Sequence, residues 1–391
     1  MQPRTDWRLV ALLIGAGLLS AFQVGKAAIA IPQLRQDLGL GLAEASWVVG
    51  AYGAIGALTG AAAGALIARM GARAALVAGL LTMAGGSAAG AFAGSLAQLL
   101  AARLAEGCGF LAVVIAAPAI LNRVTAPHDR NLCFAFWGAY MPVGTAVMMM
   151  AGPALMQSGW RLLWLVNGAL ACIYAIVLLR SVDHQESDSA PESGAGSLRN
   201  VAQVITAPGP LLLGLAFGVY TFQYFALTTL LPTLLVERLG LSLAEAGFVS
   251  ALVVLANAAG NLSAGGLMRL GIPLWATAGA GFVCVALFSF GVFSDLSTLW
   301  VCLFAAASLA VSGTIPASIF AGAPRLASAS HLPVTLGLIM QASNLGQLLG
   351  PIALAAWIER LSWSASPAVF ILVGVTGLLI AVALRSRMRR A

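Results

Sequence analysis

The chain has 391 residues, of which 60% are hydrophobic and only 8% are charged. Soluble globular proteins carry about 25% charged residues, so this composition excludes a soluble fold and predicts a protein built for the lipid bilayer. The formal net charge of +7 would suit a nucleic-acid partner. We expect no such partner, because the basic residues are distributed over short loops between apolar runs rather than gathered in one patch.

Apolar runs long enough to cross a bilayer recur along the whole chain, since a spanning helix needs about 20 such residues. The predicted spans lie at about residues 9–31, 45–67, 74–94, 98–121, 132–156, 161–180, 210–232, 246–267, 273–293, 299–321, 334–357 and 366–385. The first run is long enough to span, so we expect a retained helix and not a cleaved signal peptide. We predict an all-α membrane protein with twelve transmembrane helices in two six-helix bundles.

The basic residues predict the orientation. Fourteen arginines fall on the side that both termini share, and four (Arg35, Arg161, Arg238 and Arg360) fall on the opposite side. Cytoplasmic loops carry an excess of Lys and Arg. We therefore predict a multi-pass protein of the bacterial inner membrane with both termini in the cytoplasm, and we expect it to be a monomer.

Residues 181–209 form one long polar connection that is rich in Ser, Gly and Pro. Such a composition is typical of a solvated linker, with a regulatory segment as the alternative. The linker divides the chain into an N-terminal bundle at 1–180 and a C-terminal bundle at 210–391.

The two halves repeat each other. Residues 38–45 read LGLGLAEA and residues 239–246 read LGLSLAEA. Phe22-Gln23 and Phe222-Gln223 match at an offset of 200. Matching helices at matching places indicate parallel repeats about an axis along the membrane normal, with a cleft between the halves near the midplane.

The loop between spans 2 and 3 resembles the G-x-x-x-D-R-x-G-R-R/K motif of the major facilitator superfamily. It keeps Gly64, Arg69, Gly71 and Arg73 as a gate motif, but Ala68 stands where the aspartate belongs, which weakens the expected charge lock. Residues 103–109, RLAEGCG, resemble the R-x-x-x-G-x-G pattern of span 4. The resemblance implies a secondary transporter that works by alternating access, with spans 1, 4, 7 and 10 lining a cavity.

Three charges within the apolar runs are the sharpest candidates for chemistry. Lys26 is the only lysine of the chain, and Arg103 and Glu106 lie one turn apart in span 4. A lysine in lipid would cost about 2.5–3.5 kcal/mol, so we expect it to face protein or a water-filled cavity. We predict that Lys26 and Arg103 bind substrate and that Glu106 couples transport to protons. The alternative is an ion pair that only fixes helix packing.

Uncharged polar residues complete the predicted substrate site. Gln23 and its repeat mate Gln223, together with Tyr224, are predicted to contact a solute from opposite halves. Gln341 and Asn344 of span 11 are predicted to join them. For all of these residues, hydrogen bonding between helices is the alternative.

The sequence predicts no metal, no cofactor and no enzymatic activity. The sole lysine is followed by alanine, so there is no phosphate-binding G-x-x-x-x-G-K-[ST] loop. We predict a secondary active transporter that moves a small organic solute, with an anionic solute and proton coupling as the sharper expectations. A drug-type proton antiporter that exports amphipathic compounds is one alternative, and a non-transporting membrane sensor is another. The solute, the direction of transport and the coupling ion stay open.

Overall fold

The computed structural model is described for residues 5–182, 203–328 and 331–388, except for the side chains of residues 61, 62, 64–66, 68, 131 and 333. Its spans 1 to 6 are Trp7–Leu38, Leu42–Met70, Ala72–Ala91, Leu96–Val124, Arg130–Gly138 with Tyr140–Leu155, and Trp160–Ser181. Spans 7 to 12 are Pro208–Thr233, Leu243–Arg269, Leu274–Val292, Thr298–Ser312 with Thr314–Leu326, Leu332–Arg360, and Pro367–Met388.

The predicted all-α membrane fold is confirmed. By length and composition, ten of the described helices are able to cross a membrane, and the bent pair of span 5 makes an eleventh. The remaining predicted span is the helix Leu42–Met70 of 29 residues. At 1.5 Å per residue it is about 43 Å long, which exceeds the roughly 30 Å of a hydrocarbon core.

Several helix boundaries differ from the prediction. Span 1 continues beyond residue 31 to Leu38, because Pro32 is accommodated inside the helix and Gly39 ends it in the left-handed conformation (φ 64°). Span 5 bends by 44° near Ala139. The predicted domain boundaries at 180 and 210 stay a prediction, since residues 183–202, most of the predicted linker, lie outside the described residues.

The two halves touch where glycines let one helix reach the backbone of another. A Cβ added to Gly50 or Gly53 of span 2 would lie 2.5 Å from the Leu348 carbonyl oxygen or 2.9 Å from that of Asn344, both on span 11. A Cβ added to Gly247 of span 8 would lie 2.4 Å from the Met149 carbonyl oxygen on span 5. Spans 2 and 11, and spans 5 and 8, therefore pack in close contact across the interface.

Spans 1 and 7 are the central helices, since each contacts most spans of its own half and also the other central helix. We call the side where span 1 begins and span 12 ends the termini side, and the opposite side the far side. Ile14, Leu18 and Phe22 of span 1 are partly exposed, whereas every residue from 23 to 32 is buried. Span 7 shows the same division: Leu215, Val219 and Phe222 are at least partly exposed, and residues 223–235 are all buried. The far-side portions of both central helices are thus covered by neighbouring helices, whereas their termini-side portions are partly uncovered.

Polar contacts close the far side. Arg35 at the end of span 1 forms an ion pair with Glu237 at the end of span 7. The backbone N–H of Ala43, in span 2, donates to Glu359 Oε1 of span 11 at 3.1 Å. Both contacts join the N-terminal half to the C-terminal half, so they hold the two halves together at the far side.

Arg35→Ala and Glu237→Ala are each expected to shift the protein toward a state open on the far side. A partly exposed pair contributes up to about 1 kcal/mol, so the shift should reach at most about fivefold. It is measured as the labelling rate of a cysteine placed at buried Thr233, with the five native cysteines replaced, using a membrane-impermeant thiol reagent.

Arg238 and Asp295 provide the matched control, because they form an ion pair at the same end but within one half, with Nη2 and Oδ1 2.6 Å apart. Asp295→Ala should leave the labelling rate unchanged. Equal effects of Asp295→Ala and Glu237→Ala would contradict a specific role of the Arg35–Glu237 contact.

Candidate functional site: a buried charged cluster

Lys26, Ser87, Arg103 and Glu106 form one hydrogen-bonded group inside the N-terminal half, which we call the charged cluster. Lys26 Nζ donates to Ser87 Oγ at 2.6 Å and to Glu106 Oε1 at 2.7 Å. The Ser87 Oγ lies 2.7 Å from the same carboxylate oxygen and 3.1 Å from Gln23 Oε1. Arg103 Nη1 donates to the other oxygen, Glu106 Oε2. One carboxylate is therefore shared by donors from spans 1, 3 and 4.

Glycines bring these helices close enough for the cluster to form. A Cβ on Gly86 would lie 2.8 Å from Glu106 Cγ, and a Cβ on Gly107 would lie 2.4 Å from the Tyr52 carbonyl oxygen. Span 4 therefore packs almost directly on the backbones of spans 2 and 3. The Arg103 guanidinium uses this proximity, since its Nε donates to the Val48 carbonyl oxygen of span 2 at 2.7 Å.

Aromatic rings cover the two cations. Lys26 Nζ lies 4.7 Å from the centre of the Trp164 ring of span 6, and Arg103 Cζ lies 4.5 Å from the centre of the Tyr52 ring. Both distances are within the range of cation–π attraction, which is strongest where water is absent. The rings thus replace part of the hydration that the cations lose on burial.

The cluster carries a net positive charge in the absence of solvent. Lys26, Arg103 and Glu106 are each 0% exposed, and two cations face one anion. Among the described residues these three are the charged side chains that are buried. Removing charges from water is costly even when they are paired, so an uncompensated positive charge here is the dominant electrostatic feature of the half.

The structure brings together three of the predicted charges and adds Gln23 to them. It places them in the interior of the N-terminal half, with Gln23 and Lys26 inside the buried stretch 23–32 of span 1, and not on the partly exposed strip of Ile14, Leu18 and Phe22. The assignment of Lys26, Arg103 and Gln23 to substrate binding and of Glu106 to proton coupling stays a prediction.

Gln223 and Tyr224 are buried in the C-terminal half. Three of their polar atoms have no hydrogen-bond partner among the described residues. These atoms are the nitrogen and the oxygen of the Gln223 side-chain amide and the hydroxyl oxygen of Tyr224. Their predicted role in substrate binding stays a prediction. Buried polar groups without partners cost about 1–3 kcal/mol each, so these two side chains retain unused capacity for hydrogen bonding.

Gln341 and Asn344 lie where span 11 meets span 2. Gln341 Nε2 donates to the Ala57 carbonyl oxygen at 2.9 Å, which links the two halves. The Asn344 side chain packs on Gly56, at a position where an added Cβ would lie 2.5 Å from Asn344 Cγ. These contacts favour a role in packing between the halves, although the predicted contact with a solute is not tested by them.

The gate-motif residues lie at the termini side. Gly71 joins spans 2 and 3 with φ 82°, a conformation that side chains rarely adopt. Arg73 Nη2 donates to the Leu179 carbonyl oxygen near the end of span 6 at 2.5 Å, and Arg69 is exposed. Gly64 is one of the residues of span 2 for which only the backbone is described. The gating role of this loop stays a prediction.

Sequence reasoning missed Ser87, Trp164 and Tyr52. Ser87 follows Gly85-Gly86 in span 3, and an isolated hydroxyl after two glycines is a signal for close helix contact that could have been used. Trp164 and Tyr52 gave no signal, because an aromatic residue in an apolar span is equally suited to face lipid.

Within the described residues, the charged cluster has no counterpart in the C-terminal half. The N-caps of spans 4 and 10 are Ser95 and Ser297. Counting from these caps, Ala305 and Ser308 correspond to Arg103 and Glu106. At the offset of 200 that relates Phe22-Gln23 to Phe222-Gln223, Ala226 corresponds to Lys26. The repeated fold is therefore charged inside one half and neutral inside the other.

The fold and the repeats are those of a known family of proteins. A family model described as Major Facilitator Superfamily matches residues 13–331. The chain belongs to the major facilitator superfamily. Members of this superfamily are transporters of small molecules and not enzymes. The predicted family is therefore confirmed.

Relatives within the superfamily are described as resistance and efflux proteins. The chain is 28% identical over 254 residues to an MFS-type efflux pump of Mycolicibacterium smegmatis, covering 63% of this chain and 58% of the pump. It is 30% identical over 178 residues to puromycin resistance protein pur8 of Streptomyces alboniger, covering 44% of this chain and 34% of that protein. The chain thus spans between about a third and three fifths of the length of these two relatives.

Solved superfamily structures share the whole fold. The chain superposes on a bacterial homolog of the human lysosomal transporter Spinster, in an inward-facing and unoccupied conformation, with a TM-score of 0.75 and 16% identity, covering 98% of this chain and 92% of that one. The inward-facing and occupied conformation gives a TM-score of 0.76, also at 16% identity, over 100% and 98% of the two chains. This similarity supports the fold and carries no information on the solute.

Gly86→Ala is expected to destabilise the protein by about 1–3 kcal/mol, because the new methyl group would overlap Glu106 and the Ala102 backbone. Gly85→Ala is the matched control, since nothing lies within 4 Å of the added methyl group. Thermal unfolding in detergent measures the difference. Equal melting temperatures for the two variants would contradict the close packing of span 3 on Glu106.

Glu106→Gln is expected to destabilise the folded protein by about 3–5 kcal/mol, because two buried cations would lose their anion. Lys26→Met should cost much less, since it leaves Arg103 and Glu106 as a balanced pair. Denaturant or thermal unfolding of both variants measures the ranking. A larger loss for Lys26→Met than for Glu106→Gln would show that the net charge of the cluster is not what we infer.

Proposed function

We propose that the protein exports amphipathic organic compounds of little net charge across the bacterial inner membrane, by alternating access and at the expense of the proton gradient. Both termini, and therefore the open side of the cavity, would face the cytoplasm. This proposal takes the drug-type antiporter as the first candidate. The observation that carries it is the apolar character of the strip of partly exposed residues on the termini-side portions of spans 1 and 7.

The side chains on that strip are apolar or aromatic. Ile14, Leu18 and Phe22 from one half and Val219 and Phe222 from the other are at least partly exposed on the termini-side portions of the central helices. In the proposed transporter they border the space between the halves. Ligand sites for drug-sized molecules are mostly lined by apolar and aromatic groups, with few polar ones to fix orientation. A solute with a rigid apolar body would be accommodated here better than a small, strongly hydrated anion.

The names of relatives point the same way. The puromycin resistance protein and the efflux pump are described above, and a third relative, 26% identical over 190 residues, is a tetracenomycin C resistance and export protein of Streptomyces glaucescens. It covers 47% of this chain and 34% of that protein. These descriptions apply to those proteins, and they support export as the direction to test first.

An anionic solute is the second candidate, and the charge of the cluster favours it. The cluster holds one positive charge in excess, and Arg103 Nη2 is buried without a hydrogen-bond partner among the described residues. A carboxylate could use both features. It would first have to separate spans 1, 3 and 4, because the cluster is closed in this conformation.

Proton coupling would use the same cluster. No other buried charged side chain is present in the described part of the chain, and intramembrane ionisable residues are commonly parts of proton relays. A proton that enters or leaves here changes the charge in the interior of the half that carries span 1. Span 1 closes the far side through its contact with span 7.

Expression in a bacterial host without its own efflux pumps tests the function. Cells that produce the protein should accumulate less ethidium and tolerate more puromycin than cells with an empty vector. Phe22→Ala and Phe222→Ala should weaken export by about 2- to 10-fold, since each removes an aromatic contact worth about 0.5–1.5 kcal/mol.

Phe92→Ala is the control for these variants, because Phe92 is 80% exposed at the end of span 3 and lies away from the strip. It should export like the wild type. Unchanged accumulation of amphipathic probes together with proton-linked flux of a carboxylate in proteoliposomes would reject the first candidate in favour of the second. No flux of either class would favour a sensor.

A further inference from the structure

We propose that Lys26, and not Glu106, is the residue that takes up and releases the coupled proton. This inference rests on the proposed proton-coupled transport, and it specifies which atom of the charged cluster changes its protonation. It follows from the number of charges in the cluster, from the donors around each charge and from the place of Lys26 on span 1.

Protonation of Glu106 would work against the electrostatics of its surroundings. Lys26 and Arg103 each donate to one of its oxygens, and the Ser87 hydroxyl lies within hydrogen-bond distance of Oε1. A proton on this carboxyl group would compete with these donors and would leave two buried cations without an anion. The charge of the cluster would rise from about one to about two positive charges.

Loss of a proton from Lys26 has the opposite effect. It leaves the Arg103 guanidinium and the Glu106 carboxylate as a balanced pair, so the cluster becomes neutral. Arg103 is not an alternative carrier, since a guanidinium is not deprotonated in proteins. Of the three charged groups, Lys26 is therefore the one whose proton exchange brings the buried net charge to zero.

The hydrogen bonds around Lys26 suit both of its protonation states. The ammonium donates to Ser87 Oγ at 2.6 Å and to Glu106 Oε1 at 2.7 Å. A neutral amine keeps two N–H donors and gains one lone pair, so it can still donate to Glu106. It can also accept a hydrogen bond from Ser87, whose hydroxyl rotates between the amine, Glu106 and Gln23. Ser87 thus provides a partner before and after the proton leaves.

The neighbouring helices add no second acid. Lys26 faces Gln23 on span 1, Ser87 on span 3, Arg103 and Glu106 on span 4 and Trp164 on span 6. Span 2 contributes Tyr52 against Arg103, and span 5 contributes Thr145 and Met148 against Gly25. Within the described residues, Glu106 is the one carboxylate among them.

Lys26 also lies where a change of charge can affect the opening of the cavity. It is in the buried stretch 23–32 of span 1, between the exposed strip and the Arg35–Glu237 contact. Its neighbour Gly25 packs so closely on span 5 that a Cβ would lie 2.6 Å from the Thr145 carbonyl oxygen. A change in the bonds of Lys26 to spans 3 and 4 therefore acts on the helix that closes the far side.

The tryptophan fluorescence of the purified protein tests the inference without any solute. Trp164 lies 4.7 Å from Lys26 Nζ, so loss of the positive charge should change its emission. We expect a pH-dependent transition in wild-type protein. Trp164→Phe should remove it and thereby identify the reporter among the nine tryptophans.

Two variants fix the charge at position 26 in opposite states. Lys26→Arg keeps a positive charge and Lys26→Met keeps none, so both should lose the transition, and either one suffices if the other does not fold. Glu106→Gln, where it folds, should retain a transition. A transition that persists in Lys26→Met or Lys26→Arg, or no transition in the wild type, would overturn the proposal.

The outcome of the fluorescence experiment does not depend on whether the protein exports a solute. Failure to export any probe would reject the transport proposal while the fluorescence transition stayed intact. Conversely, export that is normal and pH-dependent in Lys26→Met would reject Lys26 as the proton carrier and leave the transporter. If both proposals hold, export by Lys26→Arg should no longer respond to the pH gradient.

Discussion

The ion pairs of the Glu106 carboxylate with Lys26 and Arg103 are the interactions on which the N-terminal half depends. The carboxylate lies where spans 1, 3 and 4 meet, it receives hydrogen bonds from Lys26 and Arg103, and it is out of contact with solvent. A buried ion pair is weak evidence for stability, because the free energy lost on desolvation offsets the attraction. Its geometry is nevertheless demanding. The glycines at 86 and 107 and the rings of Trp164 and Tyr52 are all arranged so that the three charges can be near one another.

The two halves share a fold and divide the chemistry. The N-terminal half keeps its charges in its interior, whereas the equivalent positions of the other half hold Ala226, Ala305 and Ser308. In the proposed transporter, the space between the halves is bordered by the partly exposed apolar side chains of both central helices. In this arrangement the solute and the proton need not share a site. A change of charge in the cluster inside the N-terminal half can alter the orientation of span 1. Through span 1 it can affect the Arg35–Glu237 contact that closes the far side.

The sequence was sufficient for the fold and for part of the site. The repeated LGLxLAEA segments and the lengths of the apolar runs indicated two matching halves, and the rarity of charges singled out Lys26, Arg103 and Glu106. The partners of these charges could not be predicted, because an apolar helix in a membrane has no polar face that reveals its rotation. For the same reason Ile14, Leu18 and Phe22 looked like any lipid-facing residues. The apolar run ended near residue 31, but in the structure span 1 continues to Leu38 with Pro32 buried among neighbouring helices, which can compensate for the lost hydrogen bond.

Infrared difference spectroscopy on wild type and Glu106→Gln tests most directly whether Glu106 is a permanent anion that organises the cluster. A protonated carboxylic acid has a carbonyl stretch that a carboxylate lacks, and the variant identifies which band belongs to Glu106. We expect no such band from Glu106 at any pH at which the protein stays folded. A carbonyl band that appears on acidification of folded wild-type protein and is missing in Glu106→Gln would contradict the central place given to this carboxylate.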